Sequence, residues 1–280
     1  MKFLKKHLVT ILLTMAMAAG VLLLLYPTVS DWWNSFHQSQ AIASYVETIE
    51  QMAETDYEKL WADARAYNRE LAGNAGRWMM TEEEQELYDS LLDVGGNGIM
   101  GYVEIPSLHL SLPFYHGVED SVLQVAAGHI PGTSLPVGGD STHCVLSGHR
   151  GLPSAKLFTD LDQMKAGDLF TLRVLDETLT YEVEKISIIL PEEISALEIQ
   201  EGEDLCTLMT CTPYGINTHR LLVTGRRTDN PKEEVKVAAE AVQIDPFVTA
   251  SVAAVPLLLL LVLLTVMGTR RKKHNNDREK

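Results

Sequence analysis

Two stretches of this chain contain no Asp, Glu, Lys or Arg, His7 to Ser30 and Pro246 to Thr269. The first includes LVTILLTMAMAAGVLLLLY and the second PLLLLLVLLTVM. Each is long enough to cross a hydrocarbon core of ~30 Å as a helix. Lys2, Lys5 and Lys6 before the first run, with Ala16-Met17-Ala18 inside it, also fit a cleaved signal peptide. Apolar residues continue through Val21 to Leu25, which favours an uncut signal anchor. Lys and Arg flank the outer ends of both runs, with Arg270, Arg271, Lys272 and Lys273 after the second. Both termini are therefore expected in the cytoplasm, and Asp31 to Asp245 outside the membrane.

Between the spans the pattern changes twice. From Gln38 to Leu71, apolar residues at Ile42, Tyr45, Ile49, Met52, Leu60, Ala64, Tyr67 and Leu71 keep close to helical spacing until Gly73. One long amphipathic helix is predicted there. GNAGRWMMTEEEQELYDSLLDVGGNG then reads as loop, short helix and glycine-rich turn. From Met100 onward the chain breaks into short strand-like runs, GYVEIP, LHLSLPFYHG, HCVLSGHRG, LFTLRVL, LTYEVEKISIIL, DLCTLMTC and HRLLVTGRR. Such strands with few helical patterns between them predict a closed or nearly closed barrel. SVLQVAAGH is expected as one helix outside it.

Charge narrows the partners. The chain has a formal net charge of −15, and 14 of its 23 Lys and Arg lie between the spans against 36 of its 38 Asp and Glu. An acidic exterior of this kind has no footprint for nucleic acid. It reads first as a solvated face, and only weakly as a lure for basic substrates.

The three cysteines, Cys144, Cys206 and Cys211, cannot all be paired with one another. An odd thiol outside the cytoplasm calls for an explanation. Either Cys144 and Cys206 pair and leave Cys211 free, or all three are reduced. Cys211 closes an apolar run and is followed at once by the turn residues Thr212-Pro213-Tyr214-Gly215. That position suits a reactive thiol, although a buried strand-end cysteine without chemistry fits the local sequence as well.

A nucleophilic thiol needs a base, because an unperturbed cysteine titrates near ~8.5. Histidines at 37, 109, 116, 129, 143, 149 and 219 are available between the spans. His149 is preferred, with His143 and His219 as alternatives, because it sits where an apolar strand gives way to the glycine-flanked turn Gly148-His149-Arg150-Gly151. It also stands five residues after Cys144, as Cys211 stands five after Cys206. Parallel strands in that register would bring His149 to Cys211 and Cys144 to Cys206, unless the matching offset is coincidence. Acyl transfer further needs a group to hold the oxyanion. Arg220 is the candidate, since a hairpin-like return through Pro213 to Thr218 would lay it beside Cys211.

No metal or cofactor site is expected: the chain has no CxxC or HExxH, and no acidic calcium loop. Glu82, Glu83 and Glu84 read as a solvated helix start, and GGNGIMG as a turn rather than a phosphate loop.

TLMTCTPYGINTHRLLVTGRR resembles the TLxTC…R signature of sortases, and LSGHRGLPSAKLFTDLDQMKAGD resembles their histidine segment. Together with MGYVEIPSLHLSLPFYHG they resemble class C, the pilin-polymerising sortases, over roughly residues 88–227. The resemblance implies a mainly β fold, an eight-stranded sortase-type barrel with an N-terminal amphipathic helix and two flanking transmembrane helices. It implies Cys211 as nucleophile, His149 as proton donor and acceptor, and Arg220 as the oxyanion-holding group. The substrates implied are pilin or surface-protein precursors with LPxTG-like sorting signals, cleaved at Thr–Gly, with a pilin lysine as acceptor. A sortase using a cell-wall amine is the alternative within the family, and a non-catalytic membrane scaffold the alternative outside it.

The organisation expected on this basis is a cytoplasmic N-terminus (1–7), a signal anchor (8–27), an extracytoplasmic helix and lid-like region (28–99), the catalytic barrel (100–228), a linker (229–245), a second span (246–269) and a basic cytoplasmic tail (270–280). One departure stands out. Class C enzymes commonly carry an Asp-Pro-aromatic lid tripeptide ahead of the segment that here reads Tyr88-Asp89-Ser90-Leu91-Leu92, and none occurs there. Asp245-Pro246-Phe247 has the letters but adjoins the second span. Trp78 either plugs the site in its place or is a packing tryptophan.

Overall fold

The computed structural model describes residues 2–231. The second expected span, the basic tail and Asp245-Pro246-Phe247 lie outside the described residues. Helix α1, Lys2–Glu50, is long and apolar enough to cross a membrane by length and composition. Its residues from Asp31 on pack against the rest of the fold. Helix α2 spans Glu54–Ala72.

The single amphipathic helix expected from Gln38 to Leu71 is thus two, broken at Gln51-Met52-Ala53. The break has a physical reason. Tyr45 and Ile49 on α1 and Trp61, Ala64 and Leu71 on α2 are all buried, and a kink lets both stripes follow a curved wall that a straight helix would leave. The Tyr57 hydroxyl hydrogen-bonds the Ile49 carbonyl, which the broken helix leaves without its usual partner.

Polar pins fix these helices. Tyr45 donates from its hydroxyl to Met100 O (2.9 Å) and accepts from Leu175 N (2.8 Å). Asn68 makes a reciprocal pair with the backbone of Leu135. Helix α3, Glu82–Ser90, starts from a Thr81/Glu84 capping box, with Glu82, Glu83 and Glu84 in its first turn. Its buried Tyr88 bonds His129 Nδ1 at 2.9 Å.

Eight strands follow: β1 Ile99–Ile105, β2 Leu110–His116, β3 Ala127–His129, β4 Thr142–Ser147, β5 Leu169–Val174, β6 Glu177–Ile189, β7 Asp204–Thr212 and β8 His219–Thr228. They close into a barrel in the order β1-β2-β3-β4-β7-β8-β6-β5. The pairs β2/β3 and β4/β7 are parallel and the other pairs antiparallel. SVLQVAAGH, expected as one helix, is instead a four-residue helix α4, Asp120–Leu123, leading into β3. The three buried residues of β3 all pair with β2, and Gly128 and His129 pair also with β4, so sheet pairing outweighs the local helical tendency.

Along β7, Cys206 and Leu208 join the main core, which also takes Cys144 and Leu146 from β4. Side chains alternate along a strand, so Thr207, Met209 and Cys211 face the other way, onto the outer wall. There Met209 borders a smaller apolar cluster of Val145, Leu197 and Leu222, against which Trp78 also packs.

Candidate active site

Cys211 is the penultimate residue of β7, half-exposed, whereas Cys144 and Cys206 are buried at 2% and 0%. Burial pushes the Cys206 thiol well up, which keeps it protonated. Of the three thiols only Cys211 reaches the outer wall near solvent.

Arg220 is the direct cross-strand partner of Cys211 in the antiparallel β7/β8 pairing. Directly opposed residues share one face of the sheet. The two-residue steps Arg220–Leu222 and Cys211–Met209 lead back to the paired residues Leu222 and Met209 of the outer-wall cluster, so thiol and guanidinium emerge on that wall together. The Arg220 Nη1 hydrogen bonds are long, 3.3 Å to His219 O and 3.4 Å to Asn217 O. The return that sets this pairing runs through the Thr212-Pro213 cis peptide and exposed Tyr214 and Ile216.

His149 lies on the turn that follows β4. The parallel β4/β7 register pairs Cys144 with Cys206 and runs to Ser147 with Met209. Two bonds then carry it one step further: Gly148 N donates to Met209 O (3.0 Å), and Thr210 Oγ1 to Gly148 O (2.7 Å). β4 ends at Ser147, so His149 follows one residue after Gly148 on the turn, as Cys211 follows one residue after Thr210 on β7. The offset noted in the sequence is this register.

The turn bearing His149 is tightly built. A Cβ on Gly148 would lie 2.6 Å from the Phe158 ring, and Phe158 N donates to His149 O at 3.2 Å. Gly151 has φ +75°, and a Cβ there would lie 2.8 Å from the Tyr214 ring. From the helical side, Asn34 Nδ2 donates to Ser154 O and Lys156 N donates to Asp31, so α1 braces the far end of the same loop.

The other histidines are held differently. His143 is buried between Glu198 O (3.0 Å) and Thr207 Oγ1 (2.7 Å), and burial pushes its pKa down. His219 pairs with Thr212 and bonds Thr218 Oγ1. Arg150, which sequence reasoning passed over, joins the site through Asp162 and Thr212; its only signal in the chain was adjacency to His149 between two glycines.

Trp78 is half-buried one step from this wall. The buried Arg77 guanidinium stacks on its ring at 4.7 Å and pairs with Glu198. Gly132, φ +85°, lets Arg77 approach, since a Cβ there would lie 2.6 Å from Arg77 O. Two more enclosed hollows, one beside Asp31 and His109 and one beside Tyr45 and Arg173, lie away from Cys211. Cys211 and Arg220 lie near the end of the β7/β8 ladder, beside the return that carries exposed Tyr214 and Ile216.

A family model described as the sortase domain matches residues 103–228. Among solved structures, sortase C1 of Streptococcus agalactiae is 48% identical with a TM-score of 0.67, covering 69% of this chain and 100% of that one. Sortase C of Clostridium perfringens, solved with the C-terminal cell wall sorting motif, is 40% identical with a TM-score of 0.60, covering 69% and 100%. Sortase D of Bacillus subtilis (strain 168) is 28% identical over 130 residues, which is 45% of this chain and 63% of that relative. The chain thus spans less than two thirds of the curated relatives it matches.

Proposed function

The chain belongs to the sortase family of cysteine transpeptidases, in its class C branch, and on that premise we propose that it is a membrane-anchored enzyme joining pilin subunits through LPxTG-like sorting signals. Cys211 attacks the Thr–Gly carbonyl as a thiolate. Arg220 stabilises the tetrahedral oxyanion, a contribution worth about 10²–10³ in rate for one well-aimed donor. His149 gives its proton to the departing glycine amine, leaving the threonine acyl group as a thioester on Cys211. A lysine amine of another pilin subunit then attacks the thioester, His149 takes the amine proton, and the thiolate leaves as an isopeptide bond forms.

The observation that carries this reading is the pairing of Cys211 with Arg220 across β7/β8, with the β4/β7 register running to Ser147 and Met209, two residues short of His149 and Cys211. A partly exposed thiol near a strand end suits attack on an extended peptide. The relative from Clostridium perfringens, solved with the C-terminal cell wall sorting motif, supports the substrate class. In the proposed topology residues 8–27, within α1, are an uncleaved signal anchor, residues 100–228 are the catalytic barrel, Pro246–Thr269 is a second span, and both termini are cytoplasmic.

The test is to incubate the full chain in detergent with LPxTG-like peptides and map adducts by mass spectrometry. A thioester on Cys211, released by a lysine-bearing pilin segment as an isopeptide, is expected. Adducts formed equally on Cys144 or Cys206, or none on Cys211, would overturn the assignment.

A further inference from the structure

Cys211 on β7 and His149 past the end of β4 are 62 residues apart in sequence, and the β4/β7 pairing ends before it reaches either residue. His149 sits on a turn past β4, and nothing in the β4/β7 ladder beyond Gly148 holds that turn to β7. One side chain spans the gap. Arg150 is only 10% exposed, and its guanidinium has three neighbours. Nη2 forms an ion pair with Asp162, in the segment that returns after the His149 loop. Nη1 donates to Thr212 Oγ1 at 3.4 Å, on the residue after Cys211. The guanidinium carbon lies 5.9 Å from the centre of the Tyr214 ring, whose face also lies against Gly151.

Resting on the roles given above to His149 and Cys211, we infer that Arg150 is a positioning residue that clamps the histidine turn onto the strand end bearing the nucleophile. The geometry demands an arginine. A planar fork engages Asp162 and Thr212 with separate nitrogens while stacking near an aromatic face, and a lysine ammonium does only part of this. The remaining contacts of the turn, Phe158 N to His149 O and Gly151 N to Thr159 Oγ1, close the loop on itself and leave the attachment of the turn beyond Gly148 to Arg150 and the Gly151–Tyr214 contact. A shift of about 1 Å between base and nucleophile is enough to cost roughly 10²-fold in rate.

The test uses the full chain in detergent and the variants Arg150→Met, Arg150→Lys, Asp162→Asn and Arg150→Met/Asp162→Asn. Turnover of an LPxTG-like peptide, the pH profile of Cys211 alkylation by iodoacetamide, and thermal melting are measured in parallel. Arg150→Met is expected to lower kcat roughly 10–100-fold with KM within about threefold of the parent. Its alkylation profile should differ from the parent's. Arg150→Lys should recover part of kcat, and the double variant should be no worse than Arg150→Met alone, because both residues act through one contact. Should Arg150→Met unfold, Arg150→Lys and Asp162→Asn carry the same readouts. The inference fails if kcat and the alkylation profile stay at parental values, or if the kcat loss only follows the folded fraction. If the parent chain turns over no peptide, the functional reading fails separately, and an alkylation profile unchanged by Arg150→Met still sinks the clamp.

Discussion

Cys211 and Arg220 face each other across the β7/β8 pairing, one step before the Thr212–His219 pair that ends the ladder. Their Cβ atoms are held about 4.5–5.5 Å apart by the sheet itself, so a thiol and a guanidinium share one patch of outer wall whatever their rotamers. Arg220→Ala should therefore lower peptide turnover by about 10²–10³-fold while Cys211 remains alkylatable. Arg220→Lys keeps the charge without the fork and should recover only part of the loss. Steady-state kinetics alongside iodoacetamide labelling checks both; turnover within a few-fold of the parent in Arg220→Ala would remove the residue from the mechanism.

Thiol accessibility gives a second expectation. With Cys144 and Cys206 buried at 2% and 0% and Cys211 half-exposed, native-state labelling should modify Cys211 alone. Unfolding in urea should expose all three. Peptide mapping by mass spectrometry reads the pattern directly.

Two glycines with nearly the same backbone separate strain from contact. Gly151 and Gly202 have φ of +75° and +76°, but a Cβ at Gly202 meets nothing within 4 Å while one at Gly151 lies 2.8 Å from the Tyr214 ring. Gly202→Ala should cost about 1–2 kcal/mol of stability and leave turnover unchanged. Gly151→Ala should in addition reduce turnover several-fold, by displacing Tyr214 or the His149 turn. Equal kinetic effects at the two positions would refute the contact.

Burial also sets a pH dependence. It pushes the pKa of His143 down, with Arg77 acting in the same direction and hydrogen bonding to Glu198 O against it, and it pushes His116 down in the same way. Each folded-state value lies below the ordinary ~6.5 of the unfolded chain. Their stabilising contribution is thus complete above about pH 6.5 and is lost as pH falls from there toward the folded-state values. Melting temperature should drop between pH 7.5 and 5.5, and a neutral replacement such as His143→Gln should flatten part of that slope, as scanning calorimetry would reveal.

Trp78 packs on the cluster that Met209 borders, two residues before Cys211 on the same face. If it shields the wall, Trp78→Ala should speed Cys211 alkylation several-fold at an unchanged melting temperature. If it only packs, melting falls by the equivalent of a few kcal/mol and alkylation stays as it was.

Much of this protein is written locally. The apolar run now within α1, the short helix that starts at Glu82 and seven of the eight strands show in the sequence because periods and turn signals are carried by a single segment. The facing of Cys211 and Arg220 is nearly local too, since only a short return separates them. The break between α1 and α2 is not, because it depends on the curvature of the wall both helices cover. Nor is β3, whose Ala-Gly-His has no period of its own and becomes a strand only between two neighbours. His149 lies between these cases: equal offsets from two cysteines hinted at its place, but parallel pairing between distant segments is set by the packing of the whole barrel. Arg150 belongs wholly to the tertiary structure, because Asp162, Thr212 and Tyr214 meet its guanidinium only after the chain has closed. Periodicity and turns are properties of neighbours along the chain, whereas register and clamping are properties of neighbours in space.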